Sequence, residues 1–197
     1  MFEFYRNALQ GRITDPLCAD YKNDWRKRGE DRQALIDFVL RQQSIPYFLC
    51  HCNAGFGLSK EYLMDAFRDY INGNYATIDA DGVEGGNYKS ELYVGFEGVL
   101  SLSADVICCM WSNIHETEIT PAKATKIYVG CHSDVHITCN GYNSIIVMLF
   151  DDSKIWVDRL DKESTITIYR YSDKASIEIG ADCAINKVRT FDKEIRL

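Results

Sequence analysis

Short motifs of alternating apolar and polar residues recur through the C-terminal two thirds of the chain, mostly as Ile-x-Val or Ile-x-Ile. Each motif is followed by a polar turn rich in Gly, Asn, Asp or Ser. Successive motifs begin about 8 to 11 residues apart, which is typical of short strands in an all-β unit. The period of two places the apolar residues of each strand on one side. The residues predicted to point inward are Ile127, Ile137, Val147, Ile155, Ile166 and Ile177.

Two folds can be built from this ladder. In a β-sandwich the strands pair as antiparallel hairpins, with Asn140-Gly141 as a tight turn. In a β-solenoid they stack in parallel, and each coil lays its inward Ile and Val over those of the coil below. The solenoid explains why the inward residues hardly change while the outward ones vary, so we favour it. The β-sandwich stays as the alternative, because period alone does not separate parallel from antiparallel pairing.

Two details of the β region follow from the same phase. Cys131 and Cys139 are in phase with the inward positions, which predicts small residues within the stack. The segment from Trp111 to Ala124, which contains Pro121, interrupts the ladder and is predicted to be a long loop.

The first 75 residues show helical periods instead. Helices are predicted to begin after the capping residues Asp15 and Ser59, and near Asp31 and Pro46. The helix after Ser59 has the clearest apolar stripe, formed by Leu63, Ala66, Phe67, Tyr70 and Ile71. The fold class predicted is therefore α+β, with a small helical domain at 1–75 and an all-β, repeat-like domain at 76–197.

Charge and targeting signals narrow the function. Lys and Arg balance Asp and Glu in residues 1–75, so the net charge of −7 lies in residues 76–197. This acidic region repels phosphate, which argues against nucleic acid as its partner. The start of the chain lacks the pattern of an export signal, and the longest apolar run, residues 145–150, is too short to span a bilayer. We therefore expect a cytoplasmic location with no membrane segment, and reduced thiols at all eight cysteines.

Residues 51–73 carry a local motif in which a Gly-Leu-Ser turn leads into a helix with a Tyr-Leu pair, an inward Phe and a closing Gly. The matching positions are Gly57, Leu58, Ser59, Tyr62, Leu63, Phe67 and Gly73. This segment resembles the helix-turn-helix of AraC-type transcription activators, and the resemblance implies DNA binding by residues 46–73. The side chains that would face the groove sum to −1, whereas a helix approaching phosphates should be basic. These side chains are Lys60, Glu61, Met64, Asp65, Arg68 and Asp69.

The chain as a whole also resembles a group of uncharacterised proteins of gut Bacteroidetes and their mobile elements. The shared features are the Gly-Leu-Ser helix, the exit Asn72-Gly73-Asn74-Tyr75 and a β region dotted with cysteines. This resemblance implies no activity.

The sequence predicts no catalytic residue, no metal site and no cofactor. Cysteine and histidine lie close together at Cys50-His51-Cys52, Cys108-Cys109 and Cys131-His132. None of these groups has the spacing of two to four residues that lets two side chains bind one zinc ion, so core cysteines are the better interpretation. There is no nucleophile elbow and no phosphate-binding glycine loop. His115, near Glu116 and Glu118, has an acid–base setting, but an exposed loop histidine explains it better.

Outward aromatic residues are the better functional hint. They occupy or adjoin outward positions of the ladder and would line one wall of a solenoid: Tyr128, Trp156, Tyr169 and Tyr171. Such a wall could bind a protein or a glycan, unless the helical region packs over it. We therefore expect a non-catalytic binding or structural protein on a β scaffold. DNA binding through residues 46–73 is the alternative, and the oligomeric state is left open.

Overall fold

A computed structural model describes residues 23, 26–41, 44–55, 58–73, 77–78, 88–102, 104–119, 123–139, 143–160, 163–181, 183 and 188–193. Its helices are α1 (Arg32–Val39), α2 (Ile45–Asn53) and α3 (Lys60–Ala66), followed by a 3-10 helix at Arg68–Tyr70. The side chains of Asp31 and Ser59 accept hydrogen bonds from the first turns of α1 and α3. The predicted cap at Ser59 and the predicted helix start near Asp31 are confirmed. The helix predicted at Asp15 lies outside the described residues.

The strands follow in the order β1 (Thr77–Ile78), β2 (Tyr88–Val94), β3 (Glu97–Leu102), β4 (Val106–Met110), β5 (Asn113–Ile119), β6 (Lys123–Gly130), β7 (Asp134–Cys139), β8 (Asn143–Leu149), β9 (Lys154–Leu160), β10 (Thr165–Arg170), β11 (Ser176–Ile179) and β12 (Val188–Asp192). They form two sheets in the described part of the chain. Sheet 1 has the order β1-β2-β4-β6-β8-β10-β12, and sheet 2 has the order β11-β9-β7-β5-β3.

The chain is a β-solenoid, and the sandwich alternative is wrong. From β2 to β12, every strand pair within a sheet is parallel, and successive strands alternate between the two sheets. Ile107 pairs with Ile127 and Ile155 pairs with Ile177, so the later coils take 20 to 22 residues. The first coil is shorter, since Ser90 pairs with Val106 and Val99 with Glu116, 16 and 17 residues apart. Each coil therefore contains two of the motifs seen in the sequence, one for each sheet.

The interior of the solenoid is the predicted apolar ladder. Ile127, Ile137, Val147, Ile155 and Ile166 are buried between the two sheets. Ile177 packs against the same cluster but is only partly buried, because β11 is the last strand of sheet 2. Stacked aliphatic side chains of this kind supply most of the burial that stabilises a repeat fold.

The long loop predicted for Trp111–Ala124 is wrong, since the segment contains strand β5. Its pairing with β7 shifts register after Ile114, so that Ile114 and Thr117 are both buried although they lie three residues apart. Because of this irregularity, the sequence of β5 lacks the period of two that marks the other strands. Its outward residues, such as Glu116, are polar, so the segment resembles a loop.

The helices cover the outer face of sheet 1 over β2, β4 and β6. Leu49 of α2 and Leu63 of α3 share a hydrophobic cluster with Leu92, Cys108 and Tyr128, which are outward residues of β2, β4 and β6. Cys131 also belongs to this cluster, and its Sγ donates to the carbonyl oxygen of Leu49. Its predicted place inside the stack is therefore wrong, because the chain turns a corner at Cys131 with a φ of 54° and leaves the strand alternation.

The first edge of sheet 1 is paired by the segment that leads out of the helices. The backbone N–H of Asn72 donates to Leu92, and its side chain accepts from the N–H of Val94. Further along, β1 runs antiparallel to the first residues of β2. The β2 edge is thus covered at both ends.

Candidate functional site

The four predicted aromatic residues do not form one wall. Tyr128 is 3% exposed and lies beneath the helices. Tyr171 is half-buried, stacks on Phe150 with ring centroids 4.9 Å apart and borders the same cluster. Tyr169 lies further along sheet 1, half-buried against Phe191. Trp156 is on the outer face of sheet 2, 37% exposed.

The outer face of sheet 2 is exposed to solvent around Trp156. Trp156 pairs with His136 on one side and with Glu178 on the other, and Glu116 pairs with Val99 further along. The indole and the His136 imidazole meet edge to face, with centroids 4.4 Å apart. We call these five residues, together with the flanking Asp134 and Lys154, the sheet-2 face. All are exposed or half-exposed, and Val99 is 64% exposed.

The sheet-2 face is acidic. Asp134 and Lys154 are paired in neighbouring strands, so the charge of the lysine is locally balanced. Among the described strand pairs, Glu116 lies opposite Val99 and Glu178 opposite Trp156, so neither faces a cation there. At the rim, Glu97 lies 3.9 Å from the ring of His115. A partner with positive charge would therefore meet a favourable potential here.

His136 and the carboxylates were missed as site residues, although the sequence holds the signal. Successive motifs belong to alternate sheets. The outward residues of every second motif therefore lie on the outer face of the same sheet. His136, Trp156 and Glu178 are the outward residues of alternate motifs, and they lie side by side on sheet 2. Tyr128 and Tyr169 come from the other set and lie on sheet 1.

The corner after sheet 1 holds a buried carboxylate. Asp151 accepts from the N–H of Cys131 at 2.6 Å through Oδ2, and from the N–H and Oγ of Ser153 at 2.9 and 2.7 Å through Oδ1. The N–H of His132 adds a longer bond of 3.3 Å. Burial raises the pKa of Asp151, while these hydrogen bonds favour its anion. The side chain thereby ties one corner to the next.

His132, Asp151 and Asp152 are close enough to suggest a metal site, since their ligand atoms lie within 4.8 Å of one another. The oxygens of Asp151 are already held by backbone and serine donors. His132 and Asp152 contact each other directly and are exposed. Two exposed ligands fall short of the closed donor set of a structural zinc site, and the cluster is better explained as a turn.

A ladder of buried serines lies beside this corner. The N–H of Ser112 donates to Oγ of Ser133, and the N–H of Ser133 donates to Oγ of Ser153, at 3.1 and 3.0 Å. Each hydroxyl also donates to an oxygen in or next to its own corner: Ser112 to Met110, Ser133 to Gly130 and Ser153 to Asp151. These hydroxyls satisfy backbone groups where the strands end, so they are structural rather than nucleophilic.

A cavity of about 280 Å³ lies between the start of α3 and the corner at Trp111. Cys52, Leu58, Lys60 and Glu61 line it with Trp111. Burial raises the pKa of the Cys52 thiol to about 12, so the thiol is neutral at physiological pH and a poor nucleophile. No histidine lines the cavity that could act as its base.

Another buried acid lies inside the first coil. Glu91 accepts from the hydroxyl of Tyr93 at 2.9 Å and forms an ion pair of 2.8 Å with Lys89. Burial is the main cause that raises the pKa of Tyr93, and Glu91 adds to it, so the phenol stays protonated as a donor. This closed set of partners explains how a carboxylate is accommodated in the interior.

The segment that resembles a helix-turn-helix packs on the solenoid through α3. A Cβ at Gly95, in the corner after β2, would lie 2.6 Å from Cε of Lys60 and 3.5 Å from Sδ of Met64. Two of the six side chains expected to read DNA therefore lie against the β region. Among the others, Glu61, Asp65 and Asp69 are exposed acids, and Arg68 is paired with Asp65 at 3.2 Å.

Comparison with known proteins adds no relative: no protein-family model matches the chain, and no curated protein or solved structure resembles it significantly. None of the described helices is long and apolar enough to cross a membrane.

Proposed function

We propose that this protein is a non-catalytic binding module, in which the helices and sheet 1 form the support and the sheet-2 face binds a partner protein through a cationic segment. One observation carries the proposal. The helices cover the outer face of sheet 1 over β2, β4 and β6, whereas the outer face of sheet 2 is exposed and centres on Trp156 among carboxylates. Exposed tryptophan is a common anchor of protein interfaces.

The charge of the sheet-2 face favours a basic partner over a neutral one. A lysine or arginine could lie over the indole of Trp156, where cation–π attraction is worth about 0.5 to 2 kcal/mol. Glu116 and Glu178 would pair with further cations on either side along the row of strands. Carboxylates also steer such a partner toward the face before contact.

A titration with oligo-lysine tests the proposal. In the variant Trp25→Phe/Trp111→Phe, Trp156 is the only tryptophan left, so its fluorescence reports the sheet-2 face. We expect saturable binding with a change in Trp156 emission. The double reversal Glu116→Lys/Glu178→Lys should weaken binding about tenfold, because it removes two ion pairs and adds repulsion.

The matched control is Glu61→Lys/Asp65→Lys on α3, which makes the same change in net charge on another face. Both side chains are exposed. If the two variants weaken oligo-lysine binding equally, only net charge is involved and the proposal is wrong. Saturation by a β-glucan oligosaccharide without any response to oligo-lysine would instead indicate a glycan partner.

DNA binding through residues 46–73 is less well supported. The acidic exposed residues of α3 and the packing of Lys60 against Gly95 both weigh against it. We expect no binding of duplex DNA in about 100 mM salt, a condition in which non-specific binders often hold DNA in the micromolar range. Saturable binding that is lost on charge reversal of Arg68 would favour DNA over the cationic protein.

A further inference from the structure

The two ends of sheet 1 differ in how their edges are covered. Asn72 and β1 pair with the edge of β2, as described above. At the other end, β12 pairs with β10, and no described strand lies beyond it. Residues 189–192 are exposed, and Phe191 is 46% exposed. An edge of this kind is a template for another strand.

The backbone of β12 shows which residues can accept that strand. The N–H of Lys193 donates to the carbonyl oxygen of Arg170 at 2.8 Å. Alternate residues of a strand direct their backbone hydrogen-bonding groups to the same side. The N–H and C=O groups of Phe191 and Arg189 therefore also point toward β10. The N–H and C=O of Val188, Thr190 and Asp192 therefore point away from β10, toward the outer edge.

We infer that two copies of this chain associate by antiparallel pairing of their β12 strands around a twofold axis at Thr190. Sheet 1 would then continue from one copy into the other. Head-to-tail stacking through sheet 1 is blocked, because the edge that the second copy would need is already paired at Asn72 and β1. Pairing of like ends closes after two copies instead of growing into a fibre.

The side chains of β12 favour the register centred on Thr190. In this register Thr190 lies opposite Thr190 of the second copy, and Val188 lies opposite Asp192 of the second copy. All three residues whose backbone groups point away from β10 are then paired. Arg189 then lies opposite Phe191 of the second copy, on the same outer side as Tyr169. Its guanidinium would extend the stack of Tyr169 and Phe191, whose centroids are 5.7 Å apart. A register centred on Arg189 would place two guanidinium groups face to face.

The association should be weak and should strengthen with salt. The interface consists of one strand from each copy, far less than the standard size of a stable complex. Each copy carries a net charge of −7, and their repulsion is screened as ionic strength rises.

A proline substitution tests the pairing. Thr190→Pro removes an N–H that faces outward and leaves the ladder with β10 intact, as is tolerated in edge strands. In sedimentation across a concentration series, we expect the wild-type chain to shift toward twice its mass of 22.6 kDa, and Thr190→Pro to remain a monomer. The matched control Thr190→Val keeps the N–H and should still dimerise. A wild-type chain that stays monomeric at high salt and concentration would overturn the inference.

Cross-linking tests the register. Facing residues of a hydrogen-bonded antiparallel pair have Cα atoms about 5.5 Å apart, within the reach of a disulfide. Thr190→Cys should therefore form a covalent dimer under mild oxidation. Arg189→Cys faces Phe191 of the second copy, so its nearest equivalent is about 7 to 8 Å away and should not cross-link. Equal cross-linking of both variants, or dimers of Thr190→Pro, would contradict the register and the strand pairing.

Discussion

At the scale of single residues, burial explains the chemistry of the thiols. All seven cysteines in the described part of the chain are buried, and no disulfide joins any two of them. Burial raises the pKa of Cys109 to about 12 and moves the pKa values of Cys108 and Cys131 upward as well. Since the thiolate is the reactive form, these side chains are apolar core residues in practice.

We therefore predict that these seven thiols react with Ellman's reagent only after unfolding. The measurement compares the native protein with a sample in strong denaturant, in which all eight cysteines of the chain should be counted. Rapid reaction of two or more thiols in the native protein would show that the helical layer opens easily. A shortfall in the denatured sample would reveal a disulfide.

The carboxylate of Asp151 gives a second prediction for a single residue. In Asp151→Asn, the amide nitrogen would face the N–H of Cys131, which now donates to Oδ2 at 2.6 Å. Two donors in contact leave a buried group unsatisfied, so we expect a loss of about 1 to 3 kcal/mol in the free energy of unfolding, measured by urea denaturation. The relief of a buried charge offsets only part of this loss.

Asp152→Asn is the control for that experiment. It makes the same chemical change one residue further along, where the side chain is 49% exposed. Its effect should stay within about 0.5 kcal/mol. If both substitutions were equally mild, the buried carboxylate would not be the tie between corners that its hydrogen bonds indicate.

At the scale of elements, the approach of α2 to β6 determines how the helices dock. A Cβ at Gly130 would lie 3.0 Å from Cδ2 of Leu49, closer than ordinary van der Waals contact. Gly130→Ala should therefore push Leu49 out of place and cost about 1 to 3 kcal/mol. Urea denaturation gives the value.

A double-mutant cycle makes this prediction specific. Leu49→Ala alone should cost about 2 to 5 kcal/mol, since Leu49 is fully buried. Combined with Gly130→Ala, the loss should be smaller than the sum, because the shortened side chain leaves room for the new methyl group. Leu63→Ala, equally buried but in α3, should be additive with Gly130→Ala. Additivity in both cycles would contradict the close approach.

The elements also show what could be predicted from sequence. The inward ladder was predicted because alternation depends only on local backbone geometry. Strand β5 was missed because its register shift breaks that alternation. The burial of Tyr128 and the exposure of Trp156 were not predictable from the local sequence pattern. Both are outward residues, and only the packing of helices far away in sequence buries one and leaves the other exposed.

At the scale of the whole molecule, the helices and the solenoid share one hydrophobic cluster. Phe67, at the end of α3, and Tyr128, in the third strand pair along the solenoid, both belong to it. Trp156 lies on the opposite side of the fold, on sheet 2. Repeat proteins often lose cooperativity along their length, but a layer that bridges several coils couples them.

The last prediction tests this coupling. Phe67→Ala removes a buried ring and should cost about 3 to 5 kcal/mol. In the Trp25→Phe/Trp111→Phe background, the denaturation midpoint reported by Trp156 fluorescence should fall together with the midpoint of the helical circular dichroism signal. Tyr62→Ala in the same helix, where the ring is 54% exposed, should move neither signal much. If the helical signal fell while the Trp156 midpoint stayed in place, the helices would be a separate unit that melts from an independently stable solenoid. The sheet-2 face would then not need them for support.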